Sequence, residues 1–198
     1  MKSTIHYVLI LDQSGSMVQL KREVISSYNE QVEMILKLVQ NEPDSVIKLT
    51  LCTFNDKVDL KFVAQNADHV KKLTPKDYQP DSFTALYDAI GITFVKISEL
   101  VKPDDQVFFA IFTDGLENAS KSYSADDISY KINTAEKNGW NVKFFCRYEE
   151  RLFYKSRLNI SDKYVFSMTL DNVGFSMMEN QIMYSLKEMV DNQKKQRS

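Results

Sequence analysis

Two fully apolar runs, each leading into an aspartate, constrain this chain more than any other feature. Tyr7-Val8-Leu9-Ile10-Leu11 leads into Asp12, and Val107-Phe108-Phe109-Ala110-Ile111-Phe112 leads into Thr113-Asp114. A strand with one wet face alternates apolar and polar residues. A strand apolar at every position is covered on both faces, as in a sheet with helices above and below it.

Between and after these runs the periodicity changes to that of helices. Leu20, Val24, Ile25, Tyr28, Val32, Ile35, Leu36 and Val39 recur every three or four residues and predict one amphipathic helix, closed by Pro43. A second helix is expected from about Thr84, with Leu86, Ala89, Ile90, Phe94, Ile97 and Val101 inward and Pro103 beyond its end. Ser124 with Asp127 caps a third, which stops at Asn138-Gly139. Phe175, Met178, Ile182, Leu186 and Met189 mark a last one, after a short segment around Leu152 to Leu158. Further strands are expected over Val46 to Phe54, Val142 to Cys146 and Tyr164 to Phe166. Asn55-Asp56 is turn chemistry ahead of the alternating Val58 to Val63, which reads as an edge hairpin.

Strands alternating with helices through short loops imply an α/β, doubly wound, Rossmann-like sheet, mainly parallel, with helices on both faces. No repeat or Pro/Gly/Ser linker divides the 198 residues, so one domain is expected over 1–193, with a basic tail, 194–198, that frays.

Charge narrows the function. With 25 Lys plus Arg against 27 Asp plus Glu there is no basic field to attract nucleic acid or an anionic membrane surface. No apolar run reaches the roughly 20 residues of a membrane helix, and the first residues lack the layout of a signal peptide. Cys52 and Cys146 sit in apolar runs without a CxxC pair, which suits buried thiols in a reducing compartment, so a cytoplasmic location is expected.

In open α/β sheets ligands lie beyond the carboxyl ends of the strands, where Asp12 and Asp114 both fall. Thr84, at the head of a helix after an irregular loop, can reach the same rim. Carboxylates of Asp12 and Asp114 and hydroxyls of Ser14, Ser16 and Thr84 are hard oxygen ligands, which suit Mg²⁺, and also Mn²⁺ or Ca²⁺, better than softer metals. A blander reading has Asp12 and Ser14 capping the next helix and Asp114-Gly115 forming an ordinary turn. Position after strand ends and the Thr between them favour a shared metal site.

These residues resemble the von Willebrand factor type A (VWA) domain and its metal-ion-dependent adhesion site (MIDAS). Its pattern Asp-x-Ser-x-Ser, a later Thr and a later Asp is similar to Asp12-Ser14-Ser16, Thr84 and Asp114, and the likeness runs over essentially the whole chain. The stretches 11–17, 84–90 and 113–118 look especially like bacterial intracellular members. The resemblance implies a six-stranded sheet, Mg²⁺ at its top and metal-mediated binding of a partner's Asp or Glu. One departure is Ser82-Phe83, where such members often carry a small residue or Gly before the Thr. Phe83 is then either an exposed apolar anchor beside the metal or a core residue. Glu117 is expected to act behind the metal ligands, and Asp88 either to hold a first-loop hydroxyl or to lie exposed.

Three functions follow. The first is an adaptor that grips an acidic side chain of a protein partner through the metal. The second is a Mg²⁺-dependent phosphoester hydrolase, for which no P-loop, Asp-x-Asp pair or well-placed base is found. The third is a metal-free scaffold. No catalytic residue is assigned.

Overall fold

The structure is a computed structural model that describes residues 3–197. Six strands form one sheet in the order β3-β2-β1-β4-β5-β6. They are β1 (Thr4–Asp12), β2 (Val46–Phe54), β3 (Val58–Asn66), β4 (Gln106–Phe112), β5 (Asn141–Arg147) and β6 (Val165–Met168). All neighbouring pairs are parallel except β2 with β3, so the hairpin after Asn55 supplies the one antiparallel edge.

The helices are α1 (Lys21–Asn41), α2 (Leu86–Ser98), α3 (Ala125–Lys137), the short α4 (Arg151–Arg157) and α5 (Asn172–Arg197). The uniformly apolar strands are explained by two cores, one on each face. Along β1, Ile5, Tyr7, Leu9 and Leu11 pack with α1 and α5, while Val8 and Ile10 pack with α2 and α3. β4 divides the same way, Phe108, Ala110 and Phe112 against Val107, Phe109 and Ile111. Each is the period-2 alternation of a strand with both sides buried.

The capping box expected at Ser124 is present: its hydroxyl accepts from the Asp127 amide, and the Asp127 carboxylate accepts in return from the Ser124 amide. α5 extends to Arg197 and so takes in most of the basic stretch after residue 193; just before that stretch buried Gln193 donates to Ser3, and within it Lys194 donates to Glu42 at 2.7 Å. Ser198 lies outside the described residues. No helix of the described residues is long and apolar enough to cross a membrane.

Candidate metal centre

At the carboxyl end of β1 the Asp12 side chain turns inward and is fully buried. One carboxylate oxygen accepts the Ser14 amide at 2.7 Å, the other the Thr113 hydroxyl at 2.5 Å. The first bond makes an Asx turn that bends the chain away from the strand. Ser14 Oγ then lies 3.2 Å from Ser16 Oγ, and Ser16 Oγ donates to Asp114 Oδ1 at 2.5 Å. Two loops about a hundred positions apart are thereby joined through their side chains.

The second loop docks on the first through its backbone. Gly15 donates to the Ser82 carbonyl at 3.0 Å, and a Cβ on Gly15 would stand 3.2 Å from that oxygen, so a side chain there would crowd the contact. Asp81 donates to the Gln13 carbonyl at 3.0 Å, and the fully buried Tyr78 donates its hydroxyl to the Asp12 carbonyl. Ser82 takes φ +67°, a left-handed conformation in which a non-glycine residue is strained. After this turn Phe83 stands 66% exposed, so it is not a core residue.

Thr84 does not open the helix, in contrast to the expectation from the sequence. Its carbonyl accepts the Asn118 and Ala119 amides at 3.0 and 3.2 Å, and its amide donates to Asn118 Oδ1. With the Thr84 carbonyl engaged by the third loop, Ala85 is the first helical acceptor and α2 begins at Leu86. This leaves the Thr84 side chain at the rim. A Cβ built on Gly115 would lie 3.5 Å from Ser16 Oγ and 3.9 Å from Thr84 Oγ1, so these hydroxyls from different loops converge under the third.

Asp12, Ser14, Ser16, Thr84 and Asp114 therefore line one polar cluster, with Asp12, Ser14, Thr84 and Asp114 buried and Ser16 at its exposed rim. Its donor set is hard oxygen only, which fits a small divalent cation. Electrostatics fit as well. The hydrogen bonds to the Asp12 carboxylate come from an uncharged amide and an uncharged hydroxyl, and burial, with Asp114 adding repulsion, pushes its pKa from 3.8 up to about 6. A dication is the counter-charge this group lacks.

Two further carboxylates brace the third loop. Glu117 is saturated: one oxygen accepts the Tyr87 amide at 2.9 Å and the Ser120 hydroxyl, the other the Ala119 and Ser120 amides. It caps the first turn of α2 and folds the third loop, with no free lone pair directed at the cluster. Asp88 neither holds a first-loop hydroxyl nor lies exposed. It is buried and accepts the amides of Lys121, Ser122 and Tyr123, pinning the chain that enters α3.

Sequence reasoning missed Arg147, at the end of β5. Its Nε donates to the Asp114 carbonyl at 2.8 Å and its Nη2 to Asp114 Oδ2 at 2.9 Å. Position beyond a strand's carboxyl end, the rule that singled out Asp12 and Asp114, would have found it. The same rule covers Thr113, just past β4, whereas Tyr78 carried no such signal; both hold Asp12.

Glu150 follows one turn later. Burial, with Asp114 and Asp12 adding repulsion against the pull of Arg147, pushes its pKa from 4.5 up to about 7, and its Oε2 has no hydrogen-bond partner. A carboxyl raised in the folded state contributes stability below its unfolded pKa that is lost as pH rises through the folded one. Glu150→Gln protein should thus melt higher than wild type at pH 8 and equally at pH 4. An equal melting temperature at both would contradict this account of Glu150.

No family model matches the chain, and no curated protein matches its sequence. Solved structures do. The vWF domain of the type V pili tip protein Mfa5 from Porphyromonas gingivalis superposes with a TM-score of 0.67 at 10% identity, over 96% of this chain and 97% of that one. A von Willebrand factor type A structure from Catenulispora acidiphila gives 0.58 at 13% identity, over 91% and 42%. Proximal thread matrix protein 1 from the mussel byssus gives 0.61 at 16% identity, over 91% and 45%, so the chain spans less than half of that protein's length. The byssus protein has also been solved with a zinc-occupied MIDAS motif, with a TM-score of 0.58 at 18% identity, over 92% and 45%. At these identities the likeness shows the fold: a Rossmann-like, six-stranded sheet of the VWA type.

Proposed function

We propose that this chain is a VWA domain of the bacterial intracellular kind with an intact MIDAS, and that it acts as an adaptor, binding an Asp or Glu side chain of a protein partner through a divalent cation. The observation that carries the reading is the convergence of Asp12, Ser14, Ser16, Thr84 and Asp114 from three loops into one oxygen-lined cluster. Mg²⁺ is the proposed metal, with Mn²⁺ or Ca²⁺ able to substitute on the same hard-ligand grounds. The byssus relative with zinc in its MIDAS supports a divalent ion at the corresponding place.

Bound there, a dication would supply an open, electrophilic coordination position for a carboxylate oxygen. The residues of the chain prepare that position. Asp12 and Asp114 carry the only formal negative charge among the five, while Ser14, Ser16 and Thr84 offer neutral oxygens that add no further negative charge around an ion. Tyr78, Thr113 and Glu117 hold the three loops in register. Phe83, exposed beside Thr84, is placed to give a partner an apolar contact.

For the alternative, phosphoester hydrolysis, neither histidine is positioned to serve as a base: His6 bonds Asp105 just before β4, at the far end of β1 from Asp12, while His69 lies in the turn after the edge strand. Cys52 and Cys146 are free and buried, which suits the reducing compartment and cytoplasmic setting we propose.

Affinity capture with wild-type, Asp12→Ala and Phe83→Ala proteins, each with Mg²⁺ and with EDTA, tests the reading. The partner should be retained by wild type in Mg²⁺ alone, and held at least about tenfold more weakly by Phe83→Ala protein, as for a central aromatic anchor. A partner held equally by Asp12→Ala protein in EDTA would overturn the function, and one indifferent to Phe83→Ala would remove the anchor.

A further inference from the structure

Arg147 is the one cationic side chain bonded directly to the oxygen cluster among the described residues. It closes on Asp114 with two groups of its fork, to the carbonyl and to Oδ2, while Asp114 Oδ1 faces Ser16. Asp114 is fully enclosed at its side chain, whereas the Arg147 side chain is 43% exposed. The next arginine, Arg151, pairs with Asp162 instead.

We infer that Arg147 sets the charge of this centre: it weakens the hold on a cation and strengthens the hold of the loaded centre on a partner's carboxylate. The inference rests on the metal reading above and names the residue that tunes it. Two carboxylates and one guanidinium sum to minus one. A dication brings the group to plus one, where without Arg147 it would come only to zero. An anion is attracted to the first and not to the second. The same positive charge repels the incoming metal and occupies a lone pair of Asp114 Oδ2 that would otherwise be free for it. A guanidinium has five N–H groups, and the three not used on Asp114 suit the planar geometry of a carboxylate. Glu150 does not cancel from their comparison, because Arg147 favours its ionised form, so each protein below is also measured carrying Glu150→Gln.

The two effects have opposite signs, which a purely structural role would not produce. Mn²⁺ is titrated into wild-type, Arg147→Ala and Arg147→Lys proteins at pH 7.5 and followed by its electron paramagnetic resonance. Acetate is then titrated onto each Mn²⁺-loaded protein and followed by solvent-proton relaxation. Arg147→Ala should bind Mn²⁺ on the order of tenfold tighter and acetate several-fold weaker. Arg147→Lys, which keeps the charge and loses the fork, should bind Mn²⁺ as wild type does and acetate with intermediate strength. Thermal unfolding confirms that each variant is folded, and Arg147→Gln replaces the alanine variant if that one is not. Mn²⁺ binding that is unchanged or weakened in the folded, uncharged variant overturns the inference and leaves the metal centre standing. Wild-type protein that binds no Mn²⁺ overturns both.

Discussion

In EDTA at pH 7, Asp12→Asn protein should melt higher than wild type, and saturating Mg²⁺ should reverse that order. The first half follows from burial. With its pKa moved from 3.8 to about 6 in the fold, the ionised carboxylate of Asp12 costs the metal-free protein stability as pH rises from about 4 through 6. A shift of about two units corresponds to about 3 kcal/mol. Asparagine keeps the shape and an oxygen for the Ser14 amide while removing the charge. The second half follows from linkage: a ligand present at a hundred times its Kd stabilises the fold that binds it by about 2.7 kcal/mol, or some 5–10 °C for a domain of this size. Asp12→Asn protein lacks a charged ligand and should show little of that rise. Melting curves at pH 4 and pH 7, with and without Mg²⁺, check both halves, and the EDTA difference should vanish at pH 4. A wild type indifferent to Mg²⁺, Mn²⁺ and Ca²⁺ would favour the metal-free scaffold.

The largest purely structural effect is expected at Gly174, three residues into α5. Helix propensity alone would make Gly174→Ala stabilising by up to about 1 kcal/mol. Packing reverses the sign. A Cβ there would stand 1.8 Å from the Thr169 carbonyl oxygen and 2.8 Å from its carbon. These are backbone atoms immediately after β6, and they cannot yield as the tip of a flexible side chain would. The local bonds add to the constraint, since Asp171 Oδ1 accepts both the Gly174 amide and the Thr169 hydroxyl. Relief would require α5 to shift, and α5 brings Phe175, Met178, Ile182 and Leu186 to the core. We expect a loss of about 3 kcal/mol or more, some 6–12 °C in melting temperature. Gly139→Ala is the contrast. That glycine has φ +75° and open space around its Cβ position, so only the left-handed backbone penalty of about 1–2 kcal/mol applies. Chemical denaturation of both variants would measure the pair, and a Gly174→Ala protein as stable as wild type would refute the packing argument.

Much of the architecture is legible in the order of the residues. The alternation of apolar strands with helices whose apolar residues recur every three or four positions is a local property of the chain. It is sufficient for the doubly wound sheet, the antiparallel edge hairpin and the capping box at Ser124. The proposed ligand set is drawn from the same kind of signal: Asp12 and Asp114 are read from their place just past strand ends. Asp88 is misread because carboxylates near a polar site, Glu117 among them, look alike in sequence. Only the course of the third loop shows that both are engaged by backbone amides from residues 87 to 123.

The amino-acid sequence by itself determined which segments are strands, which are helices and which oxygens could face a cation, because periodicity and strand ends act over a few residues. Tertiary structure alone decided that Thr84 stays out of its helix, that Ser82 twists into a strained turn leaving Phe83 in solvent, and that Arg147 closes on Asp114. Each depends on where one loop falls against another 30 to 70 positions away, and that register is set by the packing of the whole sheet.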